Sequence, residues 1–139
     1  MTLKTSLPVE VQFGDCDPAQ IVFYPNFFRW FDASTWHLFR SVGLTLPLMR
    51  ERYGPRGIPL VDARSTFIAA CWPGDALAVE SAITEWRRTS FVLAHRVVRG
   101  GEPIADGSEI RVWALDHPER PADLKAGPIP SDVIALLAG

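Results

Sequence analysis

Residues Val9-Glu10-Val11-Gln12-Phe13 alternate apolar and polar side chains, the period of a strand with one buried face, and Gly14 breaks the run. The pattern predicts a first strand there. From residue 26 to about residue 42 no glycine or proline intervenes, so one helix of about four to five turns is expected, with Asn26 as its N-cap and Gly43 as its stop. Its apolar residues Phe27, Phe28, Trp30, Phe31, Trp36, Leu38 and Phe39 cover more than one face, which predicts a helix buried on most sides. Residues 46–53 read as a second short helix, ended by Gly54-Pro55-Arg56-Gly57.

The second half of the chain changes period. Segments 58–69, 76–86, 90–98 and 104–115 are rich in β-branched and aromatic residues and are bounded by turn chemistry such as Pro73-Gly74-Asp75. Arg87-Arg88-Thr89 and Gly100-Gly101 are placed to close two successive hairpins. Leu77, Val79 and Ile83 share one face of their strand, and Phe91, Leu93, His95 and Val97 share one face of the next. The proline-bearing tail reads as extended up to a short helix over 132–137. A strand, a long helix and then four antiparallel strands predict an α+β domain with the helix against one sheet face. No repeat or linker divides the chain, so residues 1–139 are expected to be one domain.

Composition narrows the function. The net charge of −2 argues against a general nucleic-acid binder, which needs a dense basic patch to displace counterions. Cys16 and Cys71 match neither a metal-ligand spacing nor a disulfide framework, and no signal-like apolar run opens the chain. No window reaches the roughly 18 apolar residues of a spanning helix. A reduced, cytoplasmic protein without membrane or nucleic-acid partners is expected.

Candidate chemistry concentrates at Asp15, Asp17 and the aromatic stretch behind them, since eight of the chain's 15 aromatic residues fall between Phe23 and Phe39. Gly14-Asp15-Cys16-Asp17-Pro18-Ala19 leads through Ile21-Val22 to Tyr24-Pro25-Asn26. With Glu85-Trp86-Arg87-Arg88-Thr89-Ser90-Phe91-Val92 and Glu109-Ile110-Arg111-Val112 following in order, the chain resembles the hotdog-fold thioesterases of the 4-hydroxybenzoyl-CoA thioesterase family. The resemblance implies an antiparallel sheet wrapped around one long helix. It also implies hydrolysis of an aromatic or other bulky acyl-CoA to the free acid and CoA, with no metal and no cofactor beyond the CoA of the substrate. A homodimer or homotetramer is implied too, with sites between subunits.

Each residue also has a plainer reading. Asp17-Pro18 is by local grammar an N-cap followed by proline at the first helical position; the resemblance makes Asp17 the acid that attacks the thioester or activates water. Aspartate is ionised at neutral pH yet a weak base, so both roles stay open. Asp15 is the rival acid, read as a brace for the loop. Cys16 has no histidine placed to activate it and reads as a small buried thiol. Tyr24 offers a backbone N–H near a helix start for a thioester oxygen, or else serves as a pocket aromatic. Asp32, with Phe27 and Trp30, is a candidate substrate contact, or an acid satisfied by a neighbouring backbone group or a partner subunit. His37 reads as structural, and His95 and His117 have no companion ligands.

Arg87, Arg88 and Ser90 are ordinary turn residues by themselves. The resemblance makes them contacts for the phosphates of CoA, which guanidinium groups pair well. The chain departs from the family pattern at Thr89, where a lysine is common, at Gln20, where glycine is common, and at Phe27-Phe28, where some aromatic-acyl members carry Tyr-His. A hotdog hydratase or dehydratase would call for a histidine near the carboxylate. A non-catalytic acyl-CoA-binding protein and a steroid-isomerase-like α+β cone are the remaining alternatives. The retained Asp17 disfavours the first, and Arg87-Arg88 and the opening motif disfavour the second.

Overall fold

Alternation does build the first strand, but earlier than the 9–13 pattern predicts. In the computed structural model, which describes residues 2–139, β1 runs Lys4–Glu10 with half-buried and exposed side chains alternating. The ladder with its neighbour ends at the Glu10–Ala76 pair. Beyond it Val11 bonds the turn at Gly74 and Asp75, and Phe13–Asp15 forms a 3-10 turn with the Phe13 ring in solvent.

Helix α1 spans Pro25–Ser41. Proline suits the first helical position because the N–H it lacks has no acceptor there. Asn26 is therefore inside the helix and is not its N-cap; its side-chain amide reaches back to the Asp15 carbonyl at 2.7 Å. The buried positions are Phe27, Trp30, Phe31, Ser34, Thr35, Leu38 and Phe39, a stripe at three- and four-residue spacing. This is narrower than the burial on most sides that the aromatic content predicts: Arg29, Asp32 and Arg40 are exposed, while Phe28, Trp36 and His37 are half-buried. Gly43 takes φ +82° and turns the chain out of the helix as expected. Helix α2 occupies Leu46–Tyr53, the predicted range, with the Thr45 hydroxyl accepting from the Leu48 N–H and Gly54 in the left-handed region at its end.

Strands β2 (Leu60–Phe67), β3 (Ala76–Trp86), β4 (Ser90–Arg99) and β5 (Glu102–Val112) join β1 in an antiparallel sheet of order β1-β3-β4-β5-β2. Both predicted hairpins are present. Gly100 and Gly101 each have positive φ, the conformation of a two-residue turn whose twist matches the strands it joins. The predicted 104–115 strand is interrupted at Trp113, whose N–H leaves the sheet for the Thr89 carbonyl at 2.8 Å. The chain continues as β6 (Ala114–Asp116), which pairs with β7 (Leu124–Ala126) in a hairpin inside the tail expected to be extended. Helix α3, Ser131–Ala138, closes the chain. The fold is thus α+β, with α1 laid against one face of the sheet.

The core between helix and sheet has three zones. At one end Phe27, Trp30 and Phe31 pack with Leu77, Val79, Val97 and Ile104; at the other, Leu38 and Phe39 pack with Ile83, Phe91, Leu93, Trp113 and Leu137. Between these apolar clusters Ser34, Thr35, Ser81, His95, Glu109 and Arg111 form a fully buried polar layer. Gly107 on β5 leaves room for the Phe31 ring, since a Cβ there would sit 2.4 Å from it.

Candidate active site

A short loop carries Asp17 and is closed on itself. Cys16 and Val22 form an antiparallel bridge, the Asp17 N–H donates to the Ile21 carbonyl at 2.9 Å, and the Gln20 N–H donates to the Asp17 carbonyl at 2.8 Å. Gln20 has φ +66°, the left-handed conformation that glycine adopts without penalty, and it is the one non-glycine residue with positive φ among the described residues. One Asp17 oxygen, Oδ1, accepts the Ala19 N–H at 2.8 Å, which orients the carboxylate; Oδ2 has no partner among the described residues.

Asp17 faces a cavity of about 380 Å³. Ile21, Val22, Tyr24 and Phe27 line one side of it, and the segment from Phe67 through Ile68, Ala69 and Ala70 to Cys71 lines the other. The rings of Tyr24 and Phe27 lie 6.4 and 5.3 Å from that of Phe67, so the wall is largely aromatic. Tyr24 precedes Pro25, and its own N–H donates to no group among the described residues. The site therefore combines an ionisable carboxylate, a free amide donor at a helix start and apolar walls. Burial pushes the Cys71 thiol up to about 11, partly offset by Arg99. Partial burial and the adjacent Asp15 and Asp17 charges raise Cys16 as well. Neither thiol is primed as a nucleophile.

Other expected site residues lie elsewhere. Trp30 is buried behind the wall, 5.3 Å from the Phe27 ring, and does not line the cavity. Asp32 is half-exposed on α1 and accepts from Arg111 Nη2 at 2.7 Å, a side chain of the same chain and neither the backbone group nor the partner subunit expected as the alternative to a substrate. Arg87, Arg88 and Ser90 sit at the β3–β4 turn, with Arg87 paired to Glu85 at 2.7 Å. The Asp17 loop lies toward the other end of β3, beside Leu77, so about 30 Å of strand separates the two.

Sequence reading missed the polar layer. Glu109 Oε1 accepts from the Thr35 hydroxyl at 2.5 Å and lies 2.8 Å from His95 Nε2, while Oε2 accepts from Arg111 Nη2 at 2.9 Å. His95 Nδ1 lies 2.6 Å from the Ser81 hydroxyl, and its ring stacks on Phe31 at 4.9 Å. Burial would raise the Glu109 carboxyl, but the His95 hydrogen bond and the Arg111 charge outweigh it and hold the pKa at about 2. The available signal was phase: Ser81 and His95 each occupy an inward position of a strand whose other inward residues are apolar, Leu77, Val79 and Ile83 on β3 and Phe91, Leu93 and Val97 on β4.

This geometry belongs to a known class of enzyme. A model of the thioesterase-like superfamily matches residues 11–137, and the chain belongs to that superfamily. It is 39% identical to the 4-hydroxybenzoyl-CoA thioesterase of Pseudomonas sp. (strain CBS-3), over 98% of this chain and 99% of that one. The fold is the hotdog fold. It superimposes with a TM-score of 0.87 on the D17N mutant of 4-hydroxybenzoyl-CoA thioesterase complexed with 4-hydroxybenzoyl-CoA, at 37% identity over 96% of this chain and 98% of that one. A second solved relative, the BH1999 gentisyl-coenzyme A thioesterase, gives a TM-score of 0.81 at 32% identity over 97% of this chain and all of its own.

Proposed function

We propose that this acyl-CoA thioesterase hydrolyses the CoA thioester of an aromatic acid, with Asp17 as nucleophile or general base and the Tyr24 N–H as donor to the thioester oxygen. The observation that carries the reading is the meeting of Asp17 and Tyr24, whose N–H has no partner among the described residues, at one aromatic-walled cavity. Attack on the thioester carbon builds negative charge on its oxygen, and a preorganised N–H at a helix start stabilises it there. Attack by Asp17 itself would give a mixed anhydride and release CoA as its thiol, after which water frees the acid. Attack by water, with Asp17 taking its proton, reaches the same products. Both routes use groups of this chain and need no metal or added cofactor. Two relatives named for hydroxylated aroyl-CoA substrates support the aromatic acyl group. Phe27 supplies part of the cavity wall, while Trp30 backs that wall and Asp32 stands outside the cavity within one chain.

The rest of the site calls for a second copy. Arg87, Arg88 and Ser90 suit the phosphates of CoA but lie about a strand length from Asp17, so a neighbouring subunit supplies them in this reading. Among the described residues strand β2 pairs only with β5, and its open edge carries Val61 in solvent and Phe67 at the cavity, a template for pairing with an equivalent strand. A homodimer is the minimal functional unit, and a homotetramer is its natural doubling. No helix of the described residues is long and apolar enough to cross a membrane, and a cytoplasmic location fits a CoA-dependent substrate.

The deciding experiment measures release of free CoA thiol from benzoyl, hydroxybenzoyl, phenylacetyl, short-chain and long-chain acyl-CoAs, with wild type and Asp17→Asn. Turnover of aroyl-CoA is expected to fall roughly 100-fold or more in the variant. Equal turnover would move the chemistry away from Asp17, and tight binding without turnover in the wild type would favour an acyl-CoA-binding protein.

A further inference from the structure

Asp15 does more than share a loop with Asp17. Its carboxylate accepts the Gln12 N–H at 2.9 Å and the Arg29 Nη2 at 2.8 Å. Its carbonyl accepts the Phe23 N–H at 2.9 Å and the Asn26 side-chain amide at 2.7 Å. Asn26 and Arg29 stand three residues apart on the first turns of α1, one gripping the backbone of Asp15 and the other its side chain, and they touch one another at 3.4 Å. The Asp15 side chain is only 13% exposed, whereas that of Arg29 is 61% exposed.

These bonds add a second tie between two parts of the site, beside the Cys16–Val22 bridge and the Asp17–Ile21 bond. Asp17 follows Asp15 by two residues, and Tyr24 lies between Phe23, bonded to the Asp15 carbonyl, and Asn26, bonded to the same oxygen. We propose that Asp15, Asn26 and Arg29 form a clamp whose work is to fix the Asp17 carboxylate at a set distance from the Tyr24 N–H, making all three positioning residues for hydrolysis. None touches the substrate in this scheme. The proposal rests on the reading of Asp17 as the catalytic carboxylate.

Because the Arg29 side of the pair lies in solvent and Asp15 keeps the Gln12 N–H, the pair adds little to folding, and Arg29→Ala should keep its thermal midpoint within about 3 °C of wild type. Loosening the loop by a fraction of an ångström should nevertheless lower kcat for aroyl-CoA roughly 10- to 100-fold, with KM within about twofold because the cavity walls are untouched. Arg29→Lys, which keeps a charge but not the planar fork, should recover part of that loss. The decisive measurement repeats Arg29→Ala in the Asp17→Asn background by single-turnover kinetics. A clamp that acts through Asp17 adds less than about twofold there. The proposal is overturned if Arg29→Ala and Asp15→Asn both leave kcat unchanged, or if the loss is the same in the two backgrounds. Should Asp17→Asn itself retain full activity, the catalytic reading fails instead.

Discussion

Glu109→Gln tests how the buried polar layer holds α1 to the sheet. The substitution keeps the side chain's size and removes its charge, leaving Arg111, itself only 4% exposed at the side chain, with Asp32 and the Ile58 carbonyl as partners. Removing one member of a buried ion pair costs about 3–5 kcal/mol, and the remaining partners place the expected loss near the low end, about 3 kcal/mol. A second route gives a similar figure. Glu109 moves from 4.5 to about 2 on folding, which corresponds to about 3 kcal/mol of stability at neutral pH. A carboxylate whose pKa is depressed by folding contributes fully above its unfolded value and loses that contribution as the pH falls through its folded value. The window for Glu109 therefore runs from 4.5 down to about 2. Urea unfolding of wild type and variant at one protein concentration should show a gap of about 3 kcal/mol at pH 7, narrowing by about half at pH 3. Replacing the pair together, Glu109→Leu with Arg111→Met, should recover much of the loss. A gap below about 1 kcal/mol at pH 7, or one unchanged at pH 3, would refute the reasoning.

Two further substitutions probe the loop and the core, beside those at Asp17 and Arg29. Gln20→Gly should leave stability equal or raise it by up to about 1 kcal/mol, because φ +66° is unstrained for glycine; a loss above about 1 kcal/mol in urea unfolding would show that the Gln20 side chain holds the loop. Gly107→Ala should destabilise by about 1–3 kcal/mol or more, since the new methyl meets the Phe31 ring at 2.4 Å. Thermal unfolding would measure it, and Phe31→Leu in the same chain should restore part of the stability; additive losses would rule out the steric cause.

Local information sufficed where a few neighbouring residues decide the outcome. Gly43 ends α1, Gly54 ends α2 and Gly100-Gly101 sets a hairpin, because stop signals and positive φ are properties of short segments. The inward phases of β3 and β4 were likewise legible from alternation. The opening motif pointed to Asp17 and Tyr24, and the structure brings both to one cavity with Phe27.

What required the tertiary structure was the partner of each polar group. Asp32 looked available for a ligand on its helix, yet Arg111, 79 residues away, occupies one of its oxygens. Glu109 and His95 belong to adjacent strands, but only the β4–β5 register brings them to 2.8 Å, while Thr35 arrives from α1. The break at Trp113 and the β6–β7 hairpin depend on acceptors at Thr89 and Gly57, distant along the chain. The sequence alone determined the order of α1, α2 and strands β1 to β5 and the inward faces of β3 and β4. Folding decided which charges meet, because a buried charge is stable only beside groups that long-range packing delivers to it.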